Sequence, residues 1–222
     1  RMRAMQYSAI GILVVLASIL PVQWTQNWLL RRSAFSDVAV FSAGTVMLGS
    51  ENPSDKRTFP PREVWVNGFS IDKFEVSYRQ YRLCMQAGVC THPREPAGHQ
   101  DFDDIETSDG NLPVVWVDAY QASAYCRWLG GRLPTETEWE RAAHGTSFRP
   151  FPWGARPPEP TDVNMFLTDY PEWALVTTVP VDESAYKTGA TPDGIMHMLG
   201  NVSEWTSTTD ACKEDAYSCQ GD

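Results

Sequence analysis

The side chains able to do chemistry include five cysteines and four histidines. Cys84 and Cys90 flank Met85-Gln86-Ala87-Gly88-Val89, and Cys212 and Cys219 flank Lys213-Glu214-Asp215-Ala216-Tyr217-Ser218. Each pair can close a small loop as a disulfide, which fits an oxidising compartment. Cys126 lies in an amphipathic stretch and reads as a buried free thiol. Neither pair stands at zinc spacing to a second pair or a histidine couple. His92, His99, His144 and His197 form no ligand pattern. The loop over 91–112 holds His92, His99 and the run Asp101-Phe102-Asp103-Asp104-Ile105-Glu106. It lacks the Asp-x-Asp-x-Asp-Gly order of a calcium loop, so a solvated acidic loop is expected.

Among the elements that hold these groups, one corner dominates. Tyr125-Cys126-Arg127-Trp128-Leu129-Gly130-Gly131-Arg132-Leu133-Pro134-Thr135-Glu136-Thr137-Glu138 reads as a helix end, a glycine stop, a stiff turn and a second helix. Asp118 caps the first helix with Gln121 three residues on, and Thr135 caps the second with Glu138 in the same relation. A third helix over 78–87 starts after Ser77, has Gln80 at the matching position and stops at Gly88. Residues 41–50 read as a strand ending in a turn, and 64–76 alternate as half-buried strands do. Leu112-Pro113-Val114-Val115-Trp116-Val117 reads as an apolar strand leading into the Asp118 helix, and 174–181 as strand-like. Nine tryptophans, 16 prolines and 15 glycines suit a loop-rich domain anchored by indoles.

Charge is unevenly spread. Residues 1–36 hold Arg1, Arg3, Arg31 and Arg32 and no acid, which leaves 14 bases against 28 acids in the rest. An acidic body argues against nucleic acid and anionic lipid as ligands of that body. Residues 4–24 contain an apolar run long enough to span a bilayer, flanked by arginines, with Trp24 and Trp28 at the interface position. An uncleaved single-pass anchor is expected over a signal peptide, because no small-x-small cleavage site follows. The expected organisation is an anchor with flanks over 1–32, a linker over 33–40 and one main domain over 41–222. Orientation is poorly set by charge, because arginines flank the run on both sides.

Six pieces in order resemble the formylglycine-generating enzyme (sulfatase-modifying factor) family. They are Met47-Leu48-Gly49-Ser50, Ile71-Asp72-Lys73-Phe74-Glu75-Val76-Ser77, Pro113-Val114-Val115-Trp116-Val117-Asp118-Ala119, the helix corner, Pro152-Trp153-Gly154, and Gly200-Asn201-Val202-Ser203-Glu204-Trp205-Thr206. The resemblance implies an α+β domain of the C-type-lectin-related kind with little regular secondary structure, in an extracytoplasmic location (periplasmic in a bacterium). The family's Gly-Asn-Val-x-Glu-Trp motif supplies calcium ligands. On that resemblance the Asn201 and Glu204 side chains with the Val202 carbonyl form a candidate calcium site, beside a capping and hydrogen-bonding role without metal. A second candidate site uses Asn164 and the Met165 carbonyl, although its downstream Asp-Gly-Phe element stands here as Trp173-Ala174-Leu175.

The family's oxidases use copper on a close cysteine pair in a closing Gly-Gly-Ser-Trp segment. That segment has no counterpart here, and Cys212 and Cys219 differ in spacing, so a local disulfide is expected there and copper is not. The expected function is a membrane-anchored, extracytoplasmic, non-catalytic accessory or structural subunit with protein partners in a membrane complex. The alternatives are an oxidase whose catalytic end lies beyond residue 222, and a lectin-like ligand-binding module.

Overall fold

The computed structural model describes residues 25–49, 61–94, 110–165 and 178–207. The described chain begins in a helix, α1, over residues 25–34. Strands β1 (Val38–Phe41), β2 (Gly44–Leu48), β3 (Arg62–Val66) and β4 (Phe69–Asp72) follow, then helices α2 (Tyr78–Gln86), α3 (Ala119–Leu129) and α4 (Glu136–His144), and a 3-10 helix over Ser184–Gly189. The fold is therefore α+β with long irregular connections, as expected.

The strands form two antiparallel ladders, β1 with β4 and β2 with β3. Phe41 lies opposite Phe69 and Gly44 opposite Val66, so both ladders keep one register. They are two halves of a single long ribbon, broken where 42–43 face 67–68. At the break a Cβ on Gly68 would sit 3.3 Å from the Phe41 carbonyl oxygen. The single strand expected over 41–50 is thus two strands. The linker expected over 33–40 is instead part of the domain. Ala34 is fully buried, its carbonyl accepts from Gln80 Nε2 at 3.1 Å, and Val38–Phe41 is β1. The reason is alternation: Ala39 and Phe41 turn inward while Val38 and Val40 face out.

All three expected capping boxes are present, at Ser77/Gln80, Asp118/Gln121 and Thr135/Glu138. Each satisfies backbone donors at a helix start that would otherwise lack partners. Gly130 ends α3 in the left-handed region at φ 94°, where a side chain carries a steric cost. The strand expected over 112–117 is irregular. Pro113 has no N–H to give a ladder, and Trp116 takes a left-handed φ of 62°. Single bonds remain, such as Val114 N–H to the Val76 carbonyl at 2.8 Å. Of the stretch 174–181, the described residues 178–181 are not in a strand.

Three apolar clusters support this frame. Tyr78, Tyr81, Cys84, Cys90, Tyr125 and Trp128 pack α2 against α3. Phe41, Ala142, Ala143, Ile195 and Met198 join the ribbon to α4 and the C-terminal described segment. Val46, Leu48 and Val66 form the third. The Cys84–Cys90 disulfide closes inside the first cluster, with Cα atoms 5.3 Å apart. Cys212 and Cys219 lie outside the described residues. So does the span expected over 4–24. Among the described residues no helix is long and apolar enough to cross a membrane.

Candidate functional site

A groove of about 530 Å³ opens between β4, α3, the corner that follows α3, and residues 195–205. Its walls are largely apolar, including Phe69, Ile71, Leu133, Met196 and Met198. Two sets of polar groups converge on it.

The first set is built around Asn201. Gly200 and Asn201 both take left-handed backbone, at φ 90° and 57°. Gly200 must be glycine, because a Cβ there would lie 2.5 Å from Val163 Cγ2 and 2.8 Å from the Asn164 carbonyl. This tight turn drives the Asn201 amide between three segments. Its Nδ2 donates to Glu75 Oε2 at 2.6 Å and to the Val179 carbonyl at 3.1 Å. Its Oδ1 accepts from Asn164 Nδ2 at 3.1 Å and from Val179 N–H at 3.0 Å. The Asn201 backbone N–H also donates to the Asn164 carbonyl at 2.9 Å. Glu75 Oε1 is buried and has no hydrogen-bond partner among the described residues. Burial is the main cause that pushes the Glu75 carboxyl up to about 8; the Asn201 amide opposes it, the Glu204 charge adds to it, and the Val202 N–H opposes it. Glu204 is accessible at its surface, and its Oε2 accepts from Trp139 Nε1 at 2.9 Å. The protein walls around it raise its carboxyl too, against the pull of that indole.

The second set lies on β4 and α3. Tyr125 is only 2% exposed, lines the groove, and its hydroxyl has no hydrogen-bond partner among the described residues. Burial raises its pKa, with smaller contributions from Asp72 and Cys126. Burial likewise raises the Asp72 carboxyl. Cys126, the free cysteine of the described residues, has its thiol pushed up to about 11, chiefly by burial and then by the Asp72 charge. A thiol held so high is a poor nucleophile and a poor metal ligand at neutral pH. At the rim, Arg132 forms a bidentate pair with Glu138, both bonds 2.7 Å. Among the described residues lining the groove it is the one basic side chain.

The two expected calcium sites meet at Asn164 and Asn201, whereas Glu204 is bonded to Trp139. Asn164 and Asn201 are joined by side-chain and backbone bonds, and Met165 is exposed beside them. In this arrangement the Asn201 side chain is engaged by protein partners. Calcium takes converging oxygens, yet the Asn201 oxygen already faces two N–H donors and its nitrogen faces Glu75. Among the described residues no group of three or more His, Cys, Asp or Glu could hold a metal. The element around Trp173 lies outside the described residues, as do His99 and the 101–106 acids. Three participants went unread in sequence: Glu75, Val179 and Trp139. Only Glu75 left a trace, as a lone carboxylate between Phe74 and Val76.

Comparison with known proteins agrees with this architecture. The family model for the sulfatase-modifying factor enzyme 1-like domain matches residues 30–221. The chain is 38% identical over 209 residues to the inactive C-alpha-formylglycine-generating enzyme 2 of Mus musculus, covering 75% of this chain and 67% of that protein. It is 40% identical over 112 residues to the hercynine oxygenase of Mycobacterium tuberculosis (strain ATCC 25618 / H37Rv), covering 48% of this chain and 24% of that enzyme. Other relatives are named formylglycine-generating enzyme. The chain spans well under two thirds of the first curated relatives it matches, 38% and 24% of their lengths. Among solved structures, PvdO from Pseudomonas aeruginosa shares the fold, with a TM-score of 0.60 and 21% identity over 78% of this chain and 71% of that one. By its sequence match and its fold, the chain belongs to the sulfatase-modifying factor enzyme 1-like, or formylglycine-generating-enzyme-like, domain family.

Proposed function

We propose that this domain is a non-catalytic accessory module, extracytoplasmic and held at a membrane through residues 4–24, that docks on protein partners. The observation that carries the non-catalytic part is the groove chemistry. Its free thiol is half-buried and pushed up to about 11, and its other ionisable groups are carboxyls, phenols and the Glu138-paired Arg132. A thiolate pair able to hold soft copper is not what the described groove offers. The relative whose name marks it as inactive supports the same reading. The Cys84–Cys90 disulfide supports an oxidising location.

Purification of the full chain in mild detergent tests it. Stoichiometric co-purifying protein and no oxygen-dependent conversion of a cysteine-bearing peptide with copper are expected. A clean monomer, or conversion above a copper-only control, overturns it. The rival is an oxidase of the formylglycine-generating type, favoured by relatives that carry that name; the same conversion assay decides between them.

A further inference from the structure

We propose that the outer face of α1 is a bilayer-contact surface, seated in the headgroup layer of a membrane that carries anionic phosphates, and that it holds the domain directly against that membrane. The inference rests on the attachment through residues 4–24 proposed above and adds to it a second contact, made by the folded domain itself.

The way α1 is fixed decides which side chains it presents. Leu30 packs on the cluster between α2 and α3, and Ala34 is fully buried in it. The Ala34 carbonyl accepts from Gln80 Nε2 at 3.1 Å. Three residues on, the Asp37 carbonyl accepts from the Lys73 N–H at 2.8 Å, and β1 starts at Val38. The helix is therefore part of the domain and not a loose stalk. Trp28 and Arg32 each stand two positions from Leu30, and two positions turn a side chain by about 200° around a helix. With Leu30 and Ala34 inward, both point away from the domain. Trp28 is 51% and Leu29 56% exposed, and Arg31 and Arg32 are exposed. The Arg32 guanidinium lies 5.4 Å from the centre of the Trp28 ring.

Covalent reach and charge identify what this face meets. Trp28 follows the apolar run of residues 4–24 by four residues, so even a fully extended chain keeps it within about 14 Å of the end of that run. That reach covers the headgroup layer, about 5–8 Å deep on each side of a bilayer, and little beyond it. Tryptophan favours that layer because its ring is apolar and its N–H polar. Residues 25–36 carry Arg31 and Arg32 and no acid, whereas all 28 acids lie from residue 37 onward. Anionic lipid repels an acidic body and attracts a basic segment, so this face is the one that lipid phosphates favour. Guanidinium groups pair with phosphate through their planar N–H fork.

The full chain tests this in two steps. Alkaline carbonate extraction of membranes from cells expressing it reads the attachment through residues 4–24, and retention is expected. The chain is then reconstituted in phosphatidylcholine vesicles with about 30% phosphatidylglycerol, using lipids brominated near the headgroup end of their acyl chains. Trp28→Phe is expected to lower the bromolipid-quenched part of the indole emission. Trp65→Phe, which removes an exposed indole from β3, is expected to leave it unchanged. Omitting phosphatidylglycerol, or combining Arg31→Gln with Arg32→Gln, is expected to lower the Trp28-dependent part roughly twofold or more. Trp28 and both arginines are exposed, so these variants keep the fold. Release by carbonate overturns the attachment and this contact together. Retention without Trp28-dependent quenching overturns the contact alone and leaves the face to a protein partner. Trp28-dependent quenching that responds neither to lipid charge nor to the arginines overturns the pairing with anionic headgroups.

Discussion

Cys126 offers a quantitative probe of the groove. Its thiol is raised from the ordinary 9.0 to about 11, first by burial and then by the Asp72 charge. Only the thiolate reacts with iodoacetamide. At pH 8 an unperturbed thiol with that ordinary value is roughly a tenth ionised, whereas one near 11 is about a thousandth ionised. The thiolate fraction alone therefore predicts alkylation of Cys126 roughly 100-fold slower than that of a short cysteine peptide. The rate should keep rising tenfold per pH step past pH 9, where the free peptide levels off. Asp72→Asn removes the second cause but not the first, so it should recover several-fold of the rate and not all of it. Quench-flow alkylation followed by mass spectrometry of the peptide containing Cys126 reads this site separately from the other cysteines. Reaction at the free-peptide rate, with a plateau near pH 9, would refute the picture of a desolvated thiol beside a carboxylate. It would also reopen thiolate chemistry in the groove.

Three further outcomes follow from single contacts. Glu138 is 7% exposed, pairs with Arg132 and accepts the Thr135 N–H at 2.8 Å, and its carboxyl is lowered chiefly by the Arg132 bonds. Glu138→Gln should cost about 2 kcal/mol in urea unfolding at pH 7; because a lowered carboxyl gives stability that is lost as pH falls through its folded value, the difference should shrink towards pH 3. Glu75 works in the opposite direction: with its carboxyl raised from 4.5 to about 8, the folded state binds the extra proton, so its contribution to stability declines as pH rises through that window. Glu75→Gln should then gain in Tm over the parent between pH 5 and pH 9, and a pH-independent difference would contradict the assignment. Gly189 faces the Asp162 carbonyl so closely that a Cβ would lie 1.8 Å from its oxygen. Gly189→Ala should lower Tm by roughly 10 °C, from about 3 kcal/mol of forced backbone displacement.

Local features were legible in the sequence because their partners are close in the chain. The capping boxes at Ser77, Asp118 and Thr135 each join residues three apart, so residue type and spacing suffice. The Cys84–Cys90 loop is equally local, with a separation of 6. Where an expectation depended on neighbours far away, it drifted. The apolar run 112–117 had the composition of a strand, yet it found only scattered partners, on Val76, Tyr78, Arg94 and Trp205. The segment 33–40 looked like a linker because nothing in its own sequence shows that Ala34 meets Gln80 or that Val38 faces Asp72.

The candidate site divides in the same way. The Gly200-Asn201-Val202-Ser203-Glu204 motif marked where function-bearing groups would sit. It could not say that the Asn201 amide would be spent on Glu75, 126 residues earlier, on Val179 and on Asn164. By itself the sequence determined the family, the three capped helices, the first disulfide and the acidic character of the body, since each is set by order, short spacing or composition. Only the tertiary structure decided that Asn201 faces hydrogen-bond donors at its oxygen, that Glu75 and Tyr125 line one groove with polar atoms unpaired among the described residues, and that Cys126 is held as a neutral thiol. Those properties come from burial and from charges brought together across the fold, and desolvation depends on what surrounds a group in space rather than on its neighbours in sequence.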